Sequence, residues 1–195
     1  MDLILNADYL VFHWINSDWS NPILDVVLKW MRNEWIWFPL YLYIITFFIY
    51  NYGKNAYWLI LFCFLTFGTS DSVSSHLIKK TVKRERPCRN LSVQQPVVRI
   101  RCGSGYSFTS SHATNHFAIA VFLSLTIGSV FKKIRIPLLL WASIIGVSQI
   151  YVGVHFPLDV ACGSILGIFI GWLWAKVFMK YFGKILQPIG AYVIG

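Results

Sequence analysis

Five apolar runs are spaced along the 195-residue chain: 35–52, a second from about 55 that turns polar after Gly68, 113–131, 137–154 and about 158–178. Each is close to the roughly 20 residues a helix needs to cross a bilayer. Ahead of them, NPILDVVLKWMRN places Asp25, Lys29, Arg32 and Asn33 at spacings of four, three and one, with Ile, Val, Leu and Trp opposite. That pattern predicts an amphipathic helix lying in the membrane interface. Residues 3–17, too short and too polar to cross, read the same way. The predicted fold is all-α, a polytopic membrane helix bundle of about five transmembrane helices with N-terminal interfacial helices. It would be one membrane-embedded domain over 1–195, with interfacial helices over 1–34, a transmembrane core over 35–180 and a basic active-site loop over 79–111.

Composition agrees with lipid as solvent: 56% of residues are hydrophobic, 17% aromatic and only 13% charged, more apolar surface than a soluble domain can hide. The net charge of +9 would suggest nucleic acid in a soluble protein. Here it reads as cytoplasmic loops or contacts with anionic headgroups, so the expected partners are the bilayer and a lipid, with no nucleic acid. The start Met1-Asp2 has no basic leader, and no signal peptide is expected.

Five crossings would bring the ends of spans two and four and the starts of spans three and five to one face, where the unusual polar residues gather. Eight of the 17 Lys and Arg residues fall between positions 79 and 101. This charge can be a topology signal or an anion site, and a count of positive residues leaves orientation open. Cys88 and Cys102 bracket the loop, and a disulfide between them, worth about 3 kcal/mol in the chain-entropy model, is expected over free thiols. It would place the loop on an oxidising face.

Three elements carry candidate chemistry. In KKTVKRERP, Lys79 and Arg86 lie seven residues apart, two helical turns if the helix continues to Pro87, so both cations could meet one phosphate. In TSSHATNH, Ser110 or Ser111 can cap the helix that follows, whose free amides suit an anion. His112 sits at that mouth, where a general acid would serve a departing alkoxide, while Asn115 and His116 suit interhelical hydrogen bonds. In SQIYVGVHFPLD, Asp159 follows His155 by one turn and can hold one ring nitrogen, leaving the other as nucleophile or base. Asp71 shares a helical face with Ser75 and Lys79 and is expected to support Lys79 or span packing.

The order Lys79-x6-Arg86-Pro87, then Ser110-Ser111-His112, then Ser148-x6-His155-x3-Asp159 resembles the type 2 phosphatidic acid phosphatase superfamily of integral membrane lipid phosphatases. The matching motifs run from residue 79 to 159. The resemblance implies a metal-independent phosphatase acting through a phosphohistidine. His155 would attack phosphorus, Asp159 would orient it and His112 would protonate the leaving group. Lys79, Arg86, Ser110, Ser111 and Gln149 would line the phosphate site. By the same analogy the chain sits in a bacterial inner membrane with its site facing the periplasm or exterior. Its substrate would be a membrane lipid phosphate, lipid A or undecaprenyl diphosphate ahead of phosphatidylglycerol phosphate and phosphatidic acid.

Two departures stand out. The usual Pro-Ser-Gly-His reads Thr109-Ser110-Ser111-His112, and Gln149 occupies the position of a phosphate-binding arginine. Arg99 or Arg101, just upstream of the second motif, is the expected source of the missing cation. No metal or other cofactor is expected, since carboxylates are few and Lys and Arg would repel a cation. A lipid phosphotransferase using the same histidines, or a non-catalytic lipid-binding protein, are the competing readings.

Overall fold

The computed structural model describes residues 2–186 except 92, 94 and 95, and no strand occurs among the described residues. α1 (Asp2–His13) runs into a π-helical turn, Trp14–Asp18. α2 (Pro22–Met31) starts at Asn21, whose side chain accepts from the amides of Ile23 and Leu24, with Pro22 supplying a preformed first turn. α3 (Glu34–Tyr52) is capped by Asn33 and turns through Gly53–Asn55 into α4 (Ala56–Asp71). α4 continues as a π-helix, Ser72–Ile78, and one last turn, α5 (Lys79–Val82). After the loop come α6 (Ser111–Leu125), α7 (Ile127–Val130), α8 (Arg135–Tyr151) and α9 (Pro157–Phe182).

Three continuous helical stretches are long and apolar enough to cross a membrane: Glu34–Val82, Lys132–Tyr151 and Pro157–Leu186. The first contains two helices, α3 and α4, on either side of the Gly53–Asn55 turn. The remaining expected span is broken at Thr126, whose hydroxyl bonds back to the Phe122 carbonyl at 2.8 Å. α6 is the axis of the bundle, packed by α4, α8 and α9. Its Ala113, Thr114, Ala118, Ala120 and Phe122 are fully buried, so its surroundings are protein and it need not be apolar throughout.

Surface and interior are inverted relative to a soluble protein. Trp35, Tyr43, Tyr50, Phe64, Ile136 and Ile165 are exposed, while Thr66, Ser70, Ser74, Ser107, Thr114, Ser148, Gln149 and Asp159 are buried. Lipid rewards the first set, and interhelical hydrogen bonding accommodates the second. α2 follows the same logic. Ile23, Val26 and Trp30 face outward, whereas Asp25 turns inward to Arg99 and Tyr151.

One expectation fails here. The helix carrying Lys79 stops at Val82 rather than at Pro87, because Lys83 takes the left-handed conformation with φ +50°. The chain then extends, and the Ser107 amide donates to the Arg84 carbonyl at 2.8 Å. Cys88 and Cys102 are joined by a disulfide that closes this loop.

α6 and α9 approach closely along Gly163, Gly167 and Gly171. A Cβ at Gly163 would stand 2.8 Å from the Ser110 carbonyl oxygen, and one at Gly167 or Gly171 would clash with the carbonyl of Thr114 or Ala118. Small residues at four-residue spacing let two backbones meet in a membrane. Replacing Gly167 by Ala should force the helices apart and cost about 1–3 kcal/mol. A lowered thermal midpoint in detergent would show it, and an unchanged midpoint would refute the packing argument.

Candidate active site

The loop between α8 and α9 presents His155. Gly153, with φ +86°, turns the chain there, and a Cβ at this position would lie 2.8 Å from the Val97 carbonyl oxygen. The amides of Val154 and His155 both donate to the Gln149 carbonyl at 3.2 Å, which fixes the imidazole over the end of α8. Pro157 then opens α9, placing Asp159 in its first turn.

The His155 ring is 2% exposed, so its neighbours determine its chemistry. Nδ1 lies 3.4 Å from Ser107 Oγ and 3.7 Å from Asp159 Oδ2, the latter too long for a hydrogen bond but close enough for charge to act. Nε2 lies 3.3 Å from Arg86 Nη1. With a proton on Nδ1, the Nε2 lone pair faces the cationic side of the site. Burial is the main cause that lowers the His155 pKa to about 4. Arg86 and Lys79 add to the effect, and Asp159 pulls the other way.

Asp159 is fully buried and fully occupied. Oδ2 accepts from the Phe156 amide at 2.8 Å and from the Ser107 hydroxyl, and Oδ1 accepts from Arg84 Nη1 at 2.7 Å. Arg84 continues to Asp8 Oδ2 of α1 at 2.6 Å and lies over the Phe156 ring, its carbon 4.0 Å from the centroid. Burial opposes a charge on Arg84, but Asp159 and Asp8 outweigh it and raise its pKa.

Lys79 and Arg86 do meet, through the loop rather than along a helix. Lys79 Nζ donates to the Tyr106 carbonyl at 3.2 Å, and Arg86 Nε to the adjacent Gly105 carbonyl at 2.9 Å. Arg86 also packs over Gly103 and donates to the Val154 carbonyl. Its proton affinity falls, first through burial and then through Arg89, with Arg32 adding to it.

At the mouth of α6 the hydroxyls are already engaged. Ser110 Oγ accepts from the Ala113 amide as the N-cap, and the Ser110 amide donates to the Asp159 carbonyl at 3.0 Å. Ser111 Oγ is within 3.0 Å of Ser74 Oγ and 2.9 Å of Ser75 Oγ in the π-helix. The donors left for an anion are the Ser111 and His112 amides, which precede the first intrahelical bond from Thr114 to Ser110. The His112 ring lies parallel to His116, with centroids 6.2 Å apart. His116 bonds the His112 carbonyl in its own helix and packs on Trp141, whereas Asn115 bonds across to Ser70 and Asp71. Asp71 thus ties α4 to α6, and its charge also acts on Lys79.

Arg99 does not supply the missing cation. It is committed to Asp25 at 2.5 Å, to the carbonyls of Asn16 and Tyr151 and to Ser20, and it stacks on the Tyr151 ring at 3.9 Å. Arg101 is exposed and makes no ion pair among the described residues. Gln149 is fully buried, and neither atom of its carboxamide has a hydrogen-bond partner among the described residues. No group of three or more His, Cys, Asp or Glu placed to hold a metal ion occurs among the described residues.

Three residues of the site escaped the sequence reading: Arg84, Ser107 and Asp8. Arg84 and Arg86 stand two apart, which in an extended segment places both on one side. The helical reading of that stretch concealed it. Asp8 carries no local signal of its role.

The PAP2 superfamily profile matches residues 56–182, well over half the chain. The chain belongs to the PAP2 superfamily. It is 32% identical to the lipid A 4'-phosphatase of Bacteroides thetaiotaomicron over 174 residues, covering 84% of this chain and 72% of that protein. The crystal structure of a transmembrane PAP2 type phosphatidylglycerolphosphate phosphatase from Bacillus subtilis superposes with a TM-score of 0.70 at 26% identity. That match covers 93% of this chain and 89% of that one. Aquifex aeolicus LpxE superposes with a TM-score of 0.61 at 27% identity, covering 85% and 93%. The PAP2 match spans α4 to α9 and includes His155.

Removing Arg84 from this PAP2 site would leave two buried carboxylates without their cation. Arg84→Met should cost about 3–5 kcal/mol, the usual result of breaking a buried pair from one side. Denaturant unfolding in detergent measures this, and a loss below about 1 kcal/mol would show that the Asp8–Arg84–Asp159 link carries little.

Proposed function

We propose that the chain is a metal-independent phosphatase that hydrolyses a phosphate monoester or diphosphate of a membrane lipid through a phosphohistidine. The observation that carries this reading is the orientation of His155, with Nδ1 turned to Asp159 and Ser107 and Nε2 turned to Arg86. A phosphoryl group seated by Lys79, Arg86 and the first amides of α6 would lie in front of Nε2. Nε2 forms a bond to phosphorus as the bond to the lipid oxygen breaks, and His112 gives that oxygen its proton. Water, giving a proton to the now neutral His112, then displaces phosphate from Nε2 and restores both histidines.

Phosphorylated lipid A is the first substrate class, supported by the relative of that name covering 84% of the chain. Undecaprenyl diphosphate comes next, and a Bacillus subtilis undecaprenyl-diphosphatase is 28% identical over 156 residues. The exposed apolar faces of α1 and α2 suit a substrate that enters from the lipid side. The Cys88–Cys102 disulfide lies in the active-site loop and supports a site on the oxidising face of a bacterial inner membrane.

Phosphate release from phosphorylated lipid A in detergent, with excess chelator, tests the reading. Wild-type release should persist, and His155→Ala should abolish it. Loss of wild-type activity on chelation, or retained activity in the variant, would reject the mechanism. The pH profile provides a second test. Protonation of His155 removes the nucleophile, so the acid limb of kcat/KM should fall near pH 4 rather than near the ordinary imidazole value of about 6.5. Neutralising the repelling cation with Arg86→Gln should shift that limb upward. A limb that stays in place would separate Arg86 from the titration of His155.

A further inference from the structure

Arg32 ends α2, its amide donating to the Leu28 carbonyl at 3.3 Å and the following Asn33 amide to the Trp30 carbonyl at 2.8 Å. Its Nε is buried and has no hydrogen-bond partner among the described residues. A series of contacts carries this end of α2 to the mouth of α6. Trp37 Nε1 donates to the Met31 carbonyl at 2.8 Å, and the Trp37 ring meets Trp141 edge-on at 5.9 Å. Trp141 lies 4.8 Å from the ring of His116, which stacks on His112. The charge of Arg32 acts on both His112 and Arg86, and Glu34 is the acidic group that acts on Arg32. On the His155 side, Gln149 is buried with its carboxamide unpaired, at the position where the phosphatase motif has a cation.

We propose that Arg32, contributed by the interfacial helix α2, is a phosphate-binding residue of this site and supplies the positive charge that Gln149 lacks. This rests on the phosphatase reading above. A half-buried guanidinium with an unpaired Nε, within electrostatic reach of Arg86 and in no carboxylate bridge among the described residues, is poorly satisfied until an oxyanion arrives. A phosphoryl group would accept from Nε, offset the repulsion between the two arginines and offer acceptors to the Gln149 amide. Desolvation of the resting guanidinium points the same way. The role belongs to Arg32 rather than to Lys29 of the same helix, because Lys29 is exposed.

The test uses the full chain in detergent with two readouts: phosphate release from phosphorylated lipid A, and binding of orthovanadate by calorimetry. The variants are Arg32→Ala, Arg32→Lys and Lys29→Ala, each checked for an unchanged thermal midpoint. Loss of one charge-assisted bond predicts that Arg32→Ala weakens both kcat/KM and orthovanadate affinity by about ten- to a hundredfold. Arg32→Lys should fall between, since it keeps the charge but loses the planar fork, and Lys29→Ala should match the wild type. Gln149→Arg on the Arg32→Ala background should recover part of both losses. Orthovanadate affinity within twofold of the wild type in Arg32→Ala overturns the proposal, whether or not turnover falls. If wild-type release is lost in His155→Ala but kept in Arg32→Ala, the proposal about Arg32 falls alone. A wild type that neither binds orthovanadate nor releases phosphate removes the phosphatase reading and this proposal together.

Discussion

A carboxylate with no solvent exposure must be compensated where it stands, and Asp159 meets that requirement by recruiting much of the molecule. Its side chain takes donors from the Phe156 amide, Ser107 and Arg84, and its backbone carbonyl takes the Ser110 amide. These partners come from the start of α9, the basic loop and the mouth of α6. Arg84 extends the web to Asp8, which also accepts from the Leu158 amide at 2.7 Å, so α1 is tied to the site. His155 sits one turn before Asp159 and inherits its position from this arrangement.

The loop over 83–110 shows how irregular backbone is held beside a membrane bundle. With no ladder among its described residues, its carbonyls need donors. Lys79, Arg86 and Arg89 donate to the carbonyls from Ser104 to Tyr106. The other end is clasped by the N-terminus. Asn16, fully buried, donates to the Val97 and Tyr151 carbonyls and accepts from the Val97 amide. Arg99 joins the same clasp, with Asp25 held ionised first by its hydrogen bond from Arg99 and then by that from Tyr151. The N-terminal helices are therefore structural walls of the site, while Leu3, Leu10, Ile23 and Trp30 leave apolar surface exposed.

Much of this was legible in the chain. The apolar runs gave α3, α4, α8 and α9, because a bilayer imposes length and hydropathy directly on sequence. The motif order located His155, Asp159, His112, Lys79 and Arg86, because those residue types are costly in a membrane domain without a purpose. What could not be read was set by contacts between distant segments. The helix that carries Lys79 ends at Lys83, where the next residue, Arg84, accepts from the distant Ser107 amide, and nothing local to KKTVKRERP shows it. Arg99 looked available because its partners, Asp25, Ser20 and the carbonyls of Asn16 and Tyr151, lie far off in sequence. The spacing of Gly163, Gly167 and Gly171 was present in the sequence, but its meaning required knowing that α6 lay opposite.

The electrostatics of the site link binding to reactivity. Lys79 and Arg86 add to burial in keeping a proton off His155, so groups that would attract a phosphate dianion also leave the imidazole neutral. A negative partner for the imidazole is needed to orient it, yet a close one would raise its pKa and undo this. Asp159 resolves the conflict by spending its charge on Arg84 and its acceptors on Ser107 and Phe156, while standing 3.7 Å from Nδ1. The carboxylate can therefore guide the ring without capturing its proton. Arg84 acts on His155 through that balance, holding Oδ1 of Asp159 while Oδ2 stands nearer the ring.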